Sequence, residues 1–257
     1  MIKNSYINKR TEYFNFLESQ GHVIDSLTEL KFEALIDDYS LYTTEEILEW
    51  YMNYKNSPEM SIEQIPLSEC REWSLDPKSG SIRHSSGEFY SVDGFRIIGS
   101  KSREVKHGWD QPLLTQTGFD GGILGLIRQR KNHVPHYLVE AKEEPGNYNI
   151  VQISPTLQAT FSNLKKAHLG RSPSYSDIFL NPMDHPVKIL FDQWTSEDGG
   201  RLFNKRNRSM LIEYDENINL ECISDRFRWM TLYQIKKLIR DEDAIIAPHI
   251  RGIISGL

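Results

Sequence analysis

No stretch of this sequence approaches the roughly 20 consecutive apolar residues that a membrane-spanning helix requires. The longest apolar run of that kind, Ile123 to Ile127, is interrupted by Gly125, so no membrane contact is expected. The start, Met1-Ile2-Lys3-Asn4-Ser5, leads into polar sequence without an apolar core or a small-residue cleavage site, and the expected location is the cytoplasm. Cysteine is scarce. Cys70 and Cys222 stand far apart and form no Cys-x-x-Cys pair, which excludes a disulfide framework and a thiolate zinc site. An excess of positive charge is lacking too: 30 Lys and Arg against 36 Asp and Glu give a net charge of -6, the wrong sign for coating a nucleic-acid backbone. Room remains only for a local basic pocket that takes a phosphate. His133-Val134-Pro135-His136 has two histidines, but the proline prevents a helical pair and no carboxylate completes a ligand set, so no metal is expected. Gly121-Gly122-Ile123-Leu124-Gly125 is not a Rossmann fingerprint, and neither a Gly-Lys-Ser phosphate loop nor a Gly-x-Ser-x-Gly elbow occurs. Nicotinamide, ATP and triad chemistry are not suggested, and no cofactor is expected.

The chain has 257 residues, 39% hydrophobic and 26% charged, which suffices for a full core in one domain or in one domain with an appendage. Residues 1–61 read as a helical N-terminal appendage. Leu27, Leu30, Ala34 and Leu35 recur at helical spacing, and Thr43-Thr44-Glu45-Glu46 is a capping-box pattern ahead of Ile47, Tyr51 and Tyr54. From Ile65-Pro66 onward, short apolar runs alternate with Gly, Pro, Asn and Asp. Strands are expected around Phe89-Tyr90, Arg96 to Ile98, Tyr137 to Val139, Ile150 to Ile153, Ile189 to Phe191 and Met210 to Ile212. A second capping box, Thr231 to Gln234, returns the chain to helix through Ile235, Leu238 and Ile239.

Several polar clusters have the composition of a site. Lys142 and Glu144 precede a Pro145-Gly146 turn at a strand end, where alternate side chains share a face and could converge on one ligand; a solvated charged hairpin is the alternative. Gln152 to Asn163 is rich in amides and hydroxyls, including Ser154, Thr156, Gln158 and Thr160. Such groups bind sugar hydroxyls without the desolvation cost of an ion, although turn and capping chemistry accounts for them equally well. Glu197 opens a third cluster that carries Arg201, Lys205, Asn207 and Arg208 beside two glycines. Guanidinium forks there suit a diphosphate, with a basic surface loop as the alternative. Trp109 with Gln111, and Arg228 with Trp229, place flat rings beside hydrogen-bonding groups, as a nucleobase pocket or a core would.

Taken in order, these segments resemble the NDP-hexose 2,3-dehydratase family. The motifs run from Trp73 through Ile82 to Gly94, Trp109-Asp110-Gln111-Pro112 with Gln116, Gly122 to Gly125 and Ala141 to Asn147. They continue through Ser154 to Thr160, Ser196-Glu197, Arg201 to Phe203, Asn207-Arg208 and Phe227 to Leu232. Coverage is residues 62–257. The resemblance implies an α+β fold, a Nudix-like mixed β-sheet module flanked by helices, that binds a dTDP-linked 4-keto-6-deoxyhexose and removes water across C2 and C3. The glutamate-rich metal-binding helix of Nudix hydrolases is absent from the sequence, so diphosphate hydrolysis is not implied. Usual members resemble two modules in tandem and this chain holds one, which suggests a homodimer, since two copies reproduce a tandem through a two-fold axis.

The reaction needs a base, an enolate stabiliser and an acid, because the C4 ketone acidifies the C3 proton. Glu144 is expected as base, Lys142 as the cation facing the C4 oxyanion, and His84 or Glu197 as acid. Substrate binding is assigned to Trp109, Gln111, Gln116, Asn147, Ser154, Thr156, Gln158, Thr160, Asn163, Arg201, Lys205, Asn207, Arg208, Arg228 and Trp229. A non-catalytic nucleotide-sugar-binding module or partner subunit is the competing class, and an isomerase or epimerase using the same enolate is a third.

Overall fold

The structure, a computed structural model, describes residues 2–37, 39–99, 105–165 and 171–255. Three helices come first: α1 (Ile2–Ser19), α2 (Ser26–Leu35) and α3 (Thr44–Asn56). Then follow β1 (Trp73–Leu75), β2 (Ile82–His84), β3 (Tyr90–Ile97), β4 (Trp109–Gln116), β5 (Gly122–Lys131), β6 (Val134–Glu143), β7 (Val151–Pro155) and β8 (Leu157–Thr160). Short helices α4 (Phe161–Leu164) and α5 (Ser176–Leu180) lead to β9 (Val187–Ser196), β10 (Leu202–Phe203), β11 (Arg206–Tyr214) and β12 (Phe227–Met230). Helices α6 (Leu232–Asp241) and α7 (Pro248–Ile254) follow. This is the expected α+β class, with mixed sheets flanked by helices.

The strands form a five-stranded sheet, β1-β2-β3-β4-β10, and a seven-stranded sheet, β12-β6-β5-β11-β9, with β7 on β6 and β8 on β5. Among the described strands, β10 on β4 and β11 on β5 pair in parallel. The central hairpin turns at Asn132 and His133, both at positive φ, the conformation whose twist suits a two-residue connection. Beyond the turn β5 and β6 stay paired from Ile127 and Leu138 outward and then fork. Gly122 to Gly125 pair with β8, and Val139 to Glu143 pair with β7. Thr156 sits at the branch: its hydroxyl accepts the Ile127 N–H and donates to the Leu138 carbonyl.

Pleating sends alternate residues to opposite faces, and each face has its own core. Leu124, Leu126, Tyr137, Val139 and Leu211 pack with Ile47, Trp50 and Tyr51 of α3, Ile235 and Leu238 of α6, and Ile250 and Ile253 of α7. Ile123, Ile127, Leu138, Met210, Phe227 and Trp229 pack with Ile178 and Phe179 of α5. Helix α3 thus shares the core of the sheets. Both expected capping boxes are formed, Thr43 with Glu46 and Thr231 with Gln234, and Gln234 Nε2 reaches the Tyr42 carbonyl at 2.6 Å, joining the two helix starts. Gly125 explains itself sterically, because a Cβ there would lie 2.4 Å from the Phe179 ring.

Of the expected α2 stripe, Leu30 and Ala34 pack against the core around α3, whereas Leu27 and Leu35 are exposed and Phe32 and Glu33 are buried. Phe32 joins Tyr6 and Val134. Glu33 lies 2.5 Å from the buried Arg128 guanidinium and accepts the Tyr137 hydroxyl at 2.9 Å. Arg128 also pairs with Glu213, and Arg130 with Glu29. The guanidinium is therefore neutralised from helix and strand together, as a buried cation requires.

His136, one of the two histidines weighed for metal binding, is fully buried. Its Nδ1–H donates to the Val134 carbonyl at 2.8 Å, and Nε2 accepts the Leu41 N–H at 3.1 Å. That bonding fixes the neutral tautomer, and burial pushes the pKa down to about 4. A histidine with a depressed folded pKa contributes stability above its unfolded value of 6.5 that is lost as pH falls toward about 4. The loss should be about 3 kcal/mol. Urea denaturation at pH 7 and pH 4 should show that difference between wild type and His136→Gln, whose pH dependence is flatter by this amount; equal profiles would remove His136 as the titrating group.

Candidate functional site

A small pocket of about 180 Å³ gathers residues from seven separated segments. Tyr90 comes from β3, Leu124 from β5 and Glu144 from just beyond β6, while Gln158, Ala159 and Thr160 come from β8 and Asn163 from α4. Glu197 just beyond β9, Lys205 and Asn207 at the start of β11, and His249 of α7 complete the wall. Its volume is below the roughly 300–1,000 Å³ of sites for drug-sized ligands, so it suits one ring of a ligand rather than a whole nucleotide sugar.

The ammonium of Lys205 organises this wall. Lys205 is only 8% exposed, and a charge so removed from water needs partners. Its Nζ donates to Gln116 Oε1 at 2.7 Å and to Asn207 Oδ1 at 2.8 Å. Both amides are thereby oriented oxygen-inward. Gln116 Nε2 turns to the Gly121 carbonyl at 2.8 Å, and Asn207 Nδ2 to Glu197 Oε1. His249 Nε2 lies 3.7 Å from the same carboxylate oxygen. His249 foremost, with Lys205 and Asn207 after it, holds the Glu197 carboxyl below its ordinary pKa against the opposing effect of burial. Burial lowers the Lys205 pKa while the Glu197 charge raises it. Lys205 Nζ also lies 5.8 Å from the centre of the Tyr90 ring, whose phenol is pushed up to about 12 by burial and then by Glu197.

The backbone permits this convergence through Gly121 and Gly122. Gly121 has φ +79°, and a Cβ there would lie 2.5 Å from the Arg206 carbonyl; one on Gly122 would lie 2.5 Å from that of Ala159. β11 and β8 can approach the start of β5 so closely only because side chains are missing there.

Of the expected site residues, Glu144, Gln158, Thr160, Asn163, Glu197, Lys205 and Asn207 share the pocket wall, with Gln116 behind Lys205. Lys142 is not on the wall; its ammonium lies 3.6 Å from Glu140 and 3.8 Å from Glu144. Asn147 serves the turn, donating to the Lys142 carbonyl. Thr156 is the staple at the β5–β6 fork, and Ser154 is buried in β7. His84 is held by Glu72 at 3.2 Å and Ser86 at 2.7 Å beside Trp73 and Phe89, off the pocket. Arg208 alternates with Asn207 along β11 and spends its fork on Asp192, at 2.8 and 2.6 Å. Trp229 is buried in the core with Lys131 over its ring, and Arg228 stands 5.7 Å from the Tyr42 and Trp50 rings. Trp109 Nε1 donates to Gln111 Oε1 at 2.6 Å, and Gln111 and Arg201 both donate to the Gly200 carbonyl. They form a second cluster distinct from the pocket.

Tyr90 and His249 were not among the expected residues. Tyr90 falls inside the Ile82 to Gly94 motif, a signal that was available, whereas His249 stands alone in sequence and reaches the wall only through the packing of α7. Among the described residues no group of three or more His, Cys, Asp and Glu could hold a metal ion, and no helix is long and apolar enough to cross a membrane.

A family model described as NDP-hexose 2,3-dehydratase matches residues 44–257. A protein of Amycolatopsis orientalis named dTDP-4-dehydro-6-deoxy-alpha-D-glucopyranose 2,3-dehydratase is 34% identical over 220 residues, 83% of this chain and 44% of that protein. Proteins of the same name from Streptomyces violaceoruber and Saccharopolyspora spinosa are 34% and 33% identical over 210 residues each. These matches cover 81% and 80% of this chain, and 45% and 40% of the relatives. The chain therefore spans less than half the length of the curated relatives it matches. Among solved structures, the Nudix hydrolase RenU from M. smegmatis is 12% identical with a TM-score of 0.31, over 63% of this chain and 96% of that one. The C. elegans Ap4A hydrolase is 9% identical with a TM-score of 0.29, over 52% and 92%. Neither likeness bears on the pocket.

The pairing pattern separates two neighbours on β11. Asn207→Leu strips a partner from both the buried Lys205 and Glu197 and should destabilise the protein by about 2–3 kcal/mol. Arg208→Ala removes a partly exposed ion pair and should cost about 1 kcal/mol or less. Equal losses in urea denaturation would contradict the buried network.

Proposed function

This chain belongs to the NDP-hexose 2,3-dehydratase family, and on that premise we propose that it is a hydro-lyase acting on a dTDP-linked 4-keto-6-deoxyhexose. Water leaves across C2 and C3, and the resulting enol tautomerises to a 3,4-diketo-2,6-dideoxy sugar. One observation carries the reading: a carboxylate, Glu144, and a buried ammonium, Lys205, stand on the wall of one pocket sized for a sugar ring.

Glu144 is assigned the C3 proton. Lys142, paired with Glu140 and Glu144, orients that carboxylate, and the oxyanion role first given to Lys142 passes to Lys205. Two of the Lys205 protons are committed to Gln116 and Asn207; the third is a donor for the C4 oxygen as the enolate forms. Glu197, held ionised by its neighbours, is a poor acid and supports the positive charge of Lys205 instead. Gln158, on the pocket wall, supplies an amide for a sugar hydroxyl. The nucleotide end is assigned to Gln111 and Arg201, which share the Gly200 carbonyl, and to Trp109, whose indole N–H is held by Gln111.

We read residues 1–61 as a helical extension of the sugar-nucleotide module at 62–257, located in the cytoplasm. Because the chain spans less than half of its relatives, two copies are proposed to form the working unit. That same length share favours a second reading, a nucleotide-sugar-binding module without turnover. Incubation with dTDP-4-keto-6-deoxyglucose separates them: mass spectrometry should show the loss of one water, and tight binding with unchanged substrate would establish the second reading.

Glu144→Gln should lower turnover by roughly 10²–10⁴ with substrate affinity nearly unchanged, and a wild-type rate would take the base role from Glu144. Arg201→Ala should weaken dTDP binding about tenfold, or about 1.4 kcal/mol, in calorimetry, whereas Arg208→Ala should leave it unaltered. Sedimentation at micromolar concentration should show a dimer; a fully active monomer would refute the paired unit.

A further inference from the structure

Departure of the C2 hydroxyl needs a proton, and the pocket offers few. Glu144 enters the reaction ionised if it is the base, and Glu197 is held ionised by His249, Lys205 and Asn207. Amides are not acids, and the Thr160 hydroxyl, bonded to Ser162 at 2.9 Å, is an alkanol no more acidic than the water to be formed. Lys205 has two protons bound to amide oxygens, and its remaining one faces the oxyanion in the proposed reaction. His249 has Nε2 against Glu197, while its Nδ1 is buried and partnerless among the described residues. With Nε2 turned to Glu197 and Nδ1 shut off from solvent, neither ring nitrogen is placed to reach the leaving oxygen.

Tyr90 differs from all of these. Tyr90 is on the wall, and its hydroxyl makes no hydrogen bond among the described residues and is not among the fully buried partnerless atoms. In β3 it pairs with Gln116 of β4, the residue that holds Lys205, and the Lys205 ammonium lies 5.8 Å from the ring centre. We propose that Tyr90 is the acid of the elimination, giving its phenolic proton to the departing C2 hydroxyl while Lys205 bears the charge of the phenolate. This assignment rests on the dehydratase reading above.

The electron bookkeeping is closed. Glu144 removes the C3 proton, and the C3–H pair becomes the C3–C4 double bond of the enolate. As the C4 carbonyl re-forms, that pair makes the C2–C3 double bond. The C2–O bond breaks with its electrons, and the oxygen takes the Tyr90 proton to leave as water. The phenolate is then reprotonated from the Glu144 carboxylic acid or from solvent, which restores the site. No oxidant or reductant is required. The phenol, pushed up to about 12, stays protonated throughout the neutral range and still matches a leaving hydroxide, which is a far stronger base.

Tyr90→Phe keeps the ring against Lys205 and deletes only the O–H. On dTDP-4-keto-6-deoxyglucose its kcat should fall at least about 100-fold with KM little changed. In deuterated water it should still exchange the C3 hydrogen, because base and oxyanion cation are intact. The analogue with fluorine in place of the C2 hydroxyl expels fluoride, a much weaker base than hydroxide, so Tyr90→Phe should turn it over within a few-fold of wild type. Glu144→Gln should fail on both substrates. Wild-type turnover of the hydroxyl substrate by Tyr90→Phe, equal losses on both substrates, or loss of C3 exchange would each overturn the acid role. A wild-type protein that eliminates neither water from the first substrate nor fluoride from the second would overturn the dehydratase reading itself, and this assignment with it.

Discussion

A lysine ammonium withdrawn from water is the constraint around which the pocket is arranged. Lys205 must be surrounded by oxygen, and the nearest supply is two amide side chains from different strands, Gln116 and Asn207. Once their oxygens face inward, their nitrogens must find acceptors elsewhere, at Gly121 and Glu197. Glu197 in turn brings in His249. One buried charge thus orders residues from β4 of one sheet, β11 and the β9 end of the other, and α7. The same chain of obligations explains why the polar groups lie where a ligand could meet them instead of in the apolar cores on either side of the seven-stranded sheet.

Close backbone approach is the complementary requirement. The parallel pairing of β11 with β5 runs from Arg208 and Ile123 onward, so the segment just before it, with Lys205 and Asn207, must pass the start of β5. The missing side chain at Gly121 allows that passage, the one at Gly122 admits β8, and the same absence at Gly125 seats Phe179. These glycines follow from steric need, which accounts for a glycine-rich segment that lacks the spacing of a dinucleotide fingerprint.

Local features of the fold were legible. Capping boxes at Thr43 and Thr231 involve contacts within a single turn, and both are present; strand texture around Tyr137, Ile153 and Leu211 likewise reports burial on a pleated surface. What depends on distant partners was not. Nothing local in the sequence says that β5 and β6 fork, or that Thr156 serves the fork and not a ligand. Arg208 and Asn207 are adjacent in sequence but face opposite ways, so a cluster that reads as one basic loop divides into a buried network and an ion pair with Asp192. Lys142 and Lys205 are indistinguishable by residue type; their burial and partners distinguish them. His249 could be found only through the packing of α7.

The Arg128 junction has a consequence for how this protein can be divided. The family match begins at residue 44, which invites trimming there, yet the carboxylate that neutralises the buried Arg128 belongs to Glu33, and the amide that caps His136 belongs to Leu41. A fragment cut at the edge of the family match would keep the fully buried residues of both core faces and every pocket residue while leaving a guanidinium without one of its carboxylates and an imidazole nitrogen without its donor. Sequence kinship and mechanical integrity therefore end at different residues, and the outermost helices, which share little with the chemistry, act as the counter-ion of the sheet that supports it.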